Sequence, residues 1–304
     1  MVPSDLLQGS GPRRVIVTAD DFGMSRAVNE AVETAHRMGI VRAASLMVGA
    51  AAAEDAVTRA KRLPQLGVGL HLVLVDGCPV LPPAQVAGLT DAAGRFPKGM
   101  FLPSVRLFFS PARRRQAQAE IRAQFEAFRA TGLSLDHVNA HKHLHLHPTV
   151  LALILEIGPE FGMKAVRLPN EPLPRLRLTA PGAWVHWLLW RVFIGPWMSL
   201  LRWRLRRAGM RSNDFVFGLS KSGAMDETTL LALLDDLPPG ITEVYFHPGV
   251  SAADGTGAAD ELRALTSPAV RETLARQNLR PCSFSDLREP TEMNYLQRKG
   301  VRPA

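Results

Sequence analysis

Short β-branched runs alternate with helical spans along most of this chain, and no other feature constrains its fold as strongly. Strands are expected at 14–20, 43–48, 66–74, 135–140, 165–168, 215–219, 243–247 and 280–285. Helices are expected at 25–38, 51–62, 112–130, 148–161, 183–208, 226–237 and 268–277, with Ser25 as a plausible N-cap. Such repetition argues for parallel β/α architecture. Seven or eight strands point to an irregular (β/α) barrel, TIM-like, and 304 residues suit one such unit of about 250 residues with additions. The expected organisation is one domain over 12–288, tails at 1–11 and 289–304, and a helical aromatic-rich insertion at 170–212 acting as a lid or membrane-facing element. The Pro/Gly-rich segment 76–111 reads as a long loop.

At 46% hydrophobic the chain can bury a sizeable core. A formal charge of +8 permits nucleic acid or an anionic membrane surface as partner. Nucleic acid is disfavoured, because the arginines cluster with tryptophans and no nucleic-acid motif is present. Cys78 and Cys282 form neither a disulfide framework nor a metal spacing, and the first residues do not read as a signal peptide. The expected location is cytoplasmic, peripheral on the inner face of the membrane.

In such a barrel the active site lies where strands end. Asp20-Asp21-Phe22-Gly23 follows an apolar strand, and two adjacent carboxylates there are costly unless something positive binds. At a strand end the chain turns, so both can reach one site, and Gly23 permits the turn. His71 stands near the end of the third strand, and His247 ends the run Val244-Tyr245-Phe246. Five of the nine histidines fall between Asp136 and His147, where His141, His143, His145 and His147 alternate and would share one face of an extended chain. Imidazole is the commonest metal ligand among side chains, and Pro148 suits the first position of the following helix. One carboxylate and two histidines from three strand ends would make an open metal site, a second carboxylate could serve as base, and a further histidine as acid. That constellation is hydrolytic.

The motifs Ala19-Asp20-Asp21-Phe22-Gly23, Gly69-Leu70-His71, His141-Lys142-His143-Leu144-His145 and Phe246-His247-Pro248 resemble the YdjC-like carbohydrate deacetylases, in order from about Arg14 to Leu287. Asp136 to His143 and Ala27 to Val32 are similar to the hopanoid-biosynthesis-associated branch of that family. The resemblance implies a hydrolase acting on carbon–nitrogen bonds that removes the acetyl group of an N-acetylglucosaminyl hopanoid lipid. It implies Asp21, His71 and His141 as metal ligands, Asp20 as base and His247 as acid or substrate contact. His143, His145 and Arg167 are the candidate substrate contacts. One divalent ion is expected, zinc first, with magnesium, iron or cobalt as alternatives. The wider family carries Asp-Ser where this chain has Asn139-Ala140, so an uncharged amide must orient the metal ligand.

All five tryptophans lie within residues 184–203, interleaved with arginines. Arg191 and the Gly195-Pro196 break argue against a spanning helix, whereas tryptophan and arginine together suit a membrane surface. Trp184, Trp187 and Trp190 are the expected lipid contacts, with a lid or homodimer interface as the competing reading. The competing functions are a phosphoesterase on the same barrel, a chitooligosaccharide deacetylase acting on a soluble substrate, and a non-enzymatic sugar- or lipid-binding protein.

Overall fold

The computed structural model describes residues 13–172, 192, 194–250 and 257–287. Its core is a curled, wholly parallel sheet. The strands are β1 (Arg14–Phe22), β2 (Ala43–Leu46), β3 (Gly67–Leu72), β4 (Leu135–Ala140), β5 (Phe215–Phe217), β6 (Ile241–Phe246) and β7 (Pro281–Cys282). Their spatial order is β4-β3-β2-β1-β6-β5, with β7 beside the start of β1. The curl continues past β4 by single bridges, Val138 to Val166 and Ala165 to Arg211, and the Asn170 carbonyl accepts from Val216 of β5. The structure is therefore α/β with a half-barrel sheet, and the expected strand at 165–168 is reduced to bridging residues. The strand expected at 280–285 shrinks to the two residues of β7.

Helices cover the outside. α1 (Arg26–Arg37) begins at Ser25, whose hydroxyl accepts from the Val28 N–H, and its Val28, Ala31, Val32 and Ala35 stripe is buried. α2 (Ala53–Ala60), α3 (Phe101–Phe109), α4 (Pro111–Ala130) and α5 (Pro148–Ile157) follow in the first half. α6 (Gly195–Arg207), α7 (Glu227–Asp235), α8 (Ala258–Thr266) and α9 (Pro268–Arg276) follow in the second. β1 is buried along nearly its whole length, as a strand covered on both faces must be.

Two expectations are corrected. The segment 76–111 is not loop throughout, since it contains α3; Pro103 sits in the first turn, where a missing N–H costs nothing. A helix also precedes α9, at α8. Of the aromatic segment, Trp184, Trp187 and Trp190 lie outside the described residues. Within them α6 begins at the Gly195-Pro196 break and exposes Trp203, with the Arg207 guanidinium over its ring at 5.5 Å. No helix among the described residues is long and apolar enough to cross a membrane.

Candidate active site

Asp20 and Asp21 reach one place because the backbone turns between them. Asp21 has φ 59°, a left-handed conformation that aspartate tolerates better than most residues, and the β1–β2 register shifts between Ala19 and Phe22. Gly23 completes the turn at φ +99°, and a Cβ on it would lie 3.1 Å from the Met47 carbonyl oxygen. Buried Asn29 of α1 ties this turn down. Its Oδ1 accepts from the Gly23 N–H at 2.7 Å, and its Nδ2 donates to the Ala52 carbonyl at 3.0 Å and to Asp55 at 2.9 Å.

Three donor atoms converge at the ends of β1, β3 and β4. Asp21 Oδ1 lies 3.2 Å from His71 Nε2 and 3.1 Å from His141 Nδ1, and the two nitrogens are 3.3 Å apart. Four ligands at about 2.0–2.1 Å from a tetrahedral ion would stand roughly 3.4 Å from one another, so the triangle matches one face of such a set. Asp21 Oδ1 is buried yet accepts no well-aligned hydrogen bond, which leaves it free to ligate an ion together with the two imidazoles. Burial by itself raises the Asp21 carboxyl, but His141, His71 and His247 more than offset this and hold it well below the carboxylate range.

Charge argues the same way. Asp20, Asp21 and Glu243 are buried, and Arg167 is the one arginine or lysine buried among the described residues. Arg167 grips Asp20 with both terminal nitrogens, at 2.6 and 3.0 Å, and Glu243 through Nε at 2.9 Å and Nη2 at 2.8 Å. Three formal negative charges against one positive leave a deficit that a divalent cation would cancel, and uncompensated buried charge is costly. The residues present fit one divalent metal ion. Burial alone would raise the Asp20 carboxyl, yet Arg167, with His71 and His247, keeps it strongly depressed and hence ionised. His247 Nε2 stands 4.0 Å from Asp21 Oδ2 with its side chain partly exposed, and its backbone N–H donates to Glu261.

Comparison with known proteins places the chain in a family. The model of the YdjC-like protein family matches residues 14–276. The chain belongs to the YdjC-like family. A carbohydrate deacetylase of Brevibacillus brevis is 42% identical over 156 residues, which cover 51% of this chain and 59% of that protein. One from Geobacillus stearothermophilus is 38% identical, covering 55% and 62%. The chain thus aligns with somewhat over half the length of these curated relatives. The mouse carbohydrate deacetylase is 30% identical across 90% of this chain and 94% of its own length. Among solved structures, an Enterococcus faecalis V583 protein provisionally described as a cellobiose-phosphate cleavage protein superimposes with a TM-score of 0.70, covering 90% of this chain and 98% of its own. At 22% identity it supports the fold alone.

The histidine row of this YdjC-like chain is not extended. His141–Leu146 forms 3-10 turns broken by left-handed Lys142 and His143 (φ 51° and 55°), so the four alternating imidazoles part company. His141 joins the triangle. His143 Nε2 meets the Tyr245 hydroxyl at 3.0 Å, and burial, aided by the charge of Arg167, pushes its imidazole down to about 3. His145 is fully buried, and burial with nearby His143 and Arg167 keeps it neutral. His147 caps α5, its Nδ1 accepting from the Thr149 N–H at 3.2 Å. Arg167 and His145, expected as substrate contacts, are both buried, and Arg167 directs its guanidinium at Asp20 and Glu243.

Asn139 occupies the position behind His71. Its Oδ1 lies 2.6 Å from His71 Nδ1, and its Nδ2 donates to Ser45 Oγ at 2.9 Å and to Asp20 Oδ1 at 3.3 Å. Turned end for end, the same amide would accept from Arg167 at 2.9 and 3.1 Å and donate to His71 Nδ1. The two orientations demand opposite tautomers. A His71 whose Nε2 lone pair faces the triangle carries its proton on Nδ1 and needs the Asn139 oxygen. One amide oxygen cannot serve His71 and Arg167 together, whereas a carboxylate could. Behind Asn139, Ser45 Oγ meets His137 Nε2 at 3.0 Å, and His137 Nδ1 donates to Asp136 at 2.8 Å. This has the residue order of a serine-hydrolase triad, but Ser45 and His137 have no exposed surface, so the row buttresses Asn139. Gly69 makes room for it, since a Cβ there would fall 2.5 Å from the His137 ring.

Reading the sequence did not single out Glu243, Tyr245 or Ser45. A signal for the first two was present: Glu243 and Tyr245 alternate on β6 with His247 just past its end, and so share a face.

Proposed function

We propose that this protein hydrolyses the N-acetyl group of an amino sugar with the help of one divalent metal ion. The observation that carries the reading is the Asp21–His71–His141 triangle with ionised Asp20 and partly exposed His247 beside it. A bound ion would polarise the amide carbonyl and make a water molecule acidic enough to attack at neutral pH. Asp21, His71 and His141 would hold the ion. Asp20, fixed by Arg167, accepts the proton of the attacking water. His247 donates a proton to the departing nitrogen as the carbon–nitrogen bond breaks, and acetate and the free amine leave. The curated carbohydrate deacetylases among the relatives favour this over phosphoester cleavage. The resemblance to the hopanoid-associated branch narrows the substrate to N-acetylglucosaminyl hopanoid lipid, with the protein peripheral on the inner face of the membrane. Zinc is the first choice of ion for two imidazoles and a carboxylate.

Acetate release from an N-acetylglucosaminyl substrate, against phosphate release from a sugar phosphate, separates the two chemistries. His71→Ala with His141→Ala should abolish both metal content and acetate release. Stoichiometric metal in that double variant would sink the site. Asp20→Asn should keep the metal and lose activity by about 10²–10⁴-fold; loss of metal in proportion to activity would make Asp20 a ligand instead.

A further inference from the structure

α3 turns its apolar side outward. Phe101 and Phe109 are 84% and 76% exposed, and Leu102, Val105 and Phe108 are exposed with them. At about 100° per residue these five fall within an arc of roughly 120°. Leu107 lies opposite that arc and is buried. The helix is therefore amphipathic with the wrong face in water. An exposed apolar patch of this kind marks an interaction surface.

The surrounding charge selects the partner. From Ala92 to Ala119 there is no aspartate or glutamate, while Arg95, Lys98, Arg106, Arg113, Arg114 and Arg115 all fall in that stretch. Arg114 wraps the end of α3, donating to the Phe108 carbonyl with its guanidinium 5.6 Å from the Phe108 ring centroid. Aromatic and aliphatic side chains collared by arginine match a lipid surface with anionic headgroups, where rings sit among acyl chains and guanidinium groups meet phosphates.

Location ties the patch to the site. α3 belongs to the excursion that follows β3, the strand of His71. Lys142 of the histidine row pairs with Asp76 and donates to the Lys98 carbonyl at 3.2 Å at the base of that excursion. Phe108 packs edge-on against His147 at 6.0 Å, and Leu107 and Leu144 line a common cavity of about 230 Å³. The patch and the metal-ligand triangle share one end of the sheet.

We infer that α3, through Phe101, Leu102, Val105, Phe108 and Phe109 with the Arg106 and Arg113–Arg115 collar, docks this protein on an anionic lipid surface. This goes beyond the deacetylase reading and is measured without turnover, so either can fail alone. The test is flotation of the full chain with phosphatidylcholine vesicles, with and without phosphatidylglycerol. The wild type should float with the anionic vesicles and be released by added salt, which screens exposed charge over about 8–10 Å near physiological ionic strength. Phe101→Ser with Phe109→Ser should weaken binding at least about tenfold without shifting the thermal transition, because both rings are already in water. Arg114→Gln with Arg115→Gln should weaken binding to anionic vesicles only. Three results overturn the inference: no flotation of the wild type, undiminished flotation of the serine variant, or a wild-type dimer in sedimentation equilibrium that the serine substitutions dissociate.

Discussion

At the strand ends carboxylates and imidazoles are buried, several of them paired; on α3 phenylalanines are exposed. A folded chain ordinarily does the reverse in both places. The buried centre is tolerable because much of it is held: Arg167 grips Asp20 and Glu243, Asn29 ties down the Gly23 turn, and the negative charge left over is what a divalent cation beside Asp21 would cancel. The α3 surface makes almost no demand on the fold, since only Leu107 of its apolar residues is buried. The centre therefore serves stability and chemistry together, whereas α3 can be altered with little consequence for the fold.

The largest expected break in that contrast is Arg167→Leu. Removing the cation leaves two buried carboxylates facing each other, and denaturant titration should show a loss of about 3–5 kcal/mol. A loss under about 1 kcal/mol would mean that the cluster is wetter than its burial implies.

Asn139→Asp should act next most strongly, on the metal. A carboxylate accepts from His71 and from Arg167 at once, so competition with a chelator should show affinity rising by about 10–100-fold. Unchanged or weaker affinity would remove Asn139 from the control of the site.

His145 sharpens the contrast through pH. Unfolded, its imidazole titrates near its ordinary 6.5; folded, burial holds it well below that. The unfolded chain therefore binds the extra proton, and stability present above pH 6.5 is lost as pH falls below it, by up to about 1.4 kcal/mol per pH unit. His145→Leu should reduce that slope, leaving the share of His143. The carboxylates answer in a lower window: Asp136, which burial would raise but His137 and the Ser285 N–H hold down at about 2, loses its contribution only as pH drops below 3.8. A slope between pH 6.5 and 4 undiminished in the leucine variant would assign it elsewhere, because His143, held down at about 3, should account only for the part that remains.

The smallest effect is expected on α3, where Phe101→Ser and Phe109→Ser should each change stability by less than about 0.5 kcal/mol. A larger loss would show that these rings pack in solution and would end the contrast.

Much of the centre was legible in the sequence because strand ends announce themselves: an apolar run that stops at Asp20, at His71 or at His247 marks a polar group at the rim of a sheet. The left-handed turn at Asp21 was partly legible too, through Gly23. α3 was not, because its apolar residues face water and give no inward stripe to contrast with a polar face, and because prolines and glycines dominate what precedes it. The histidine row misled for a related reason. Alternation implies a shared face only while the backbone stays extended, and two left-handed residues, Lys142 and His143, end that condition.

What the sequence determined by itself was local: most of the alternating strands and helices, the Ser25 cap, and the polar residues at strand ends, whereas the choice of Asp21, His71 and His141 among them came from the family resemblance. What the tertiary structure decided was every relation across the sheet. Arg167 and Asp20 stand 147 residues apart, and Thr18 and Glu243, whose side chains also hydrogen-bond, 225 apart. Which acid a buried arginine neutralises, and which way an amide behind a histidine must face, depends on strand pairing between distant segments. Local period and turn chemistry are set by neighbours along the chain, but charge compensation is set by neighbours in space.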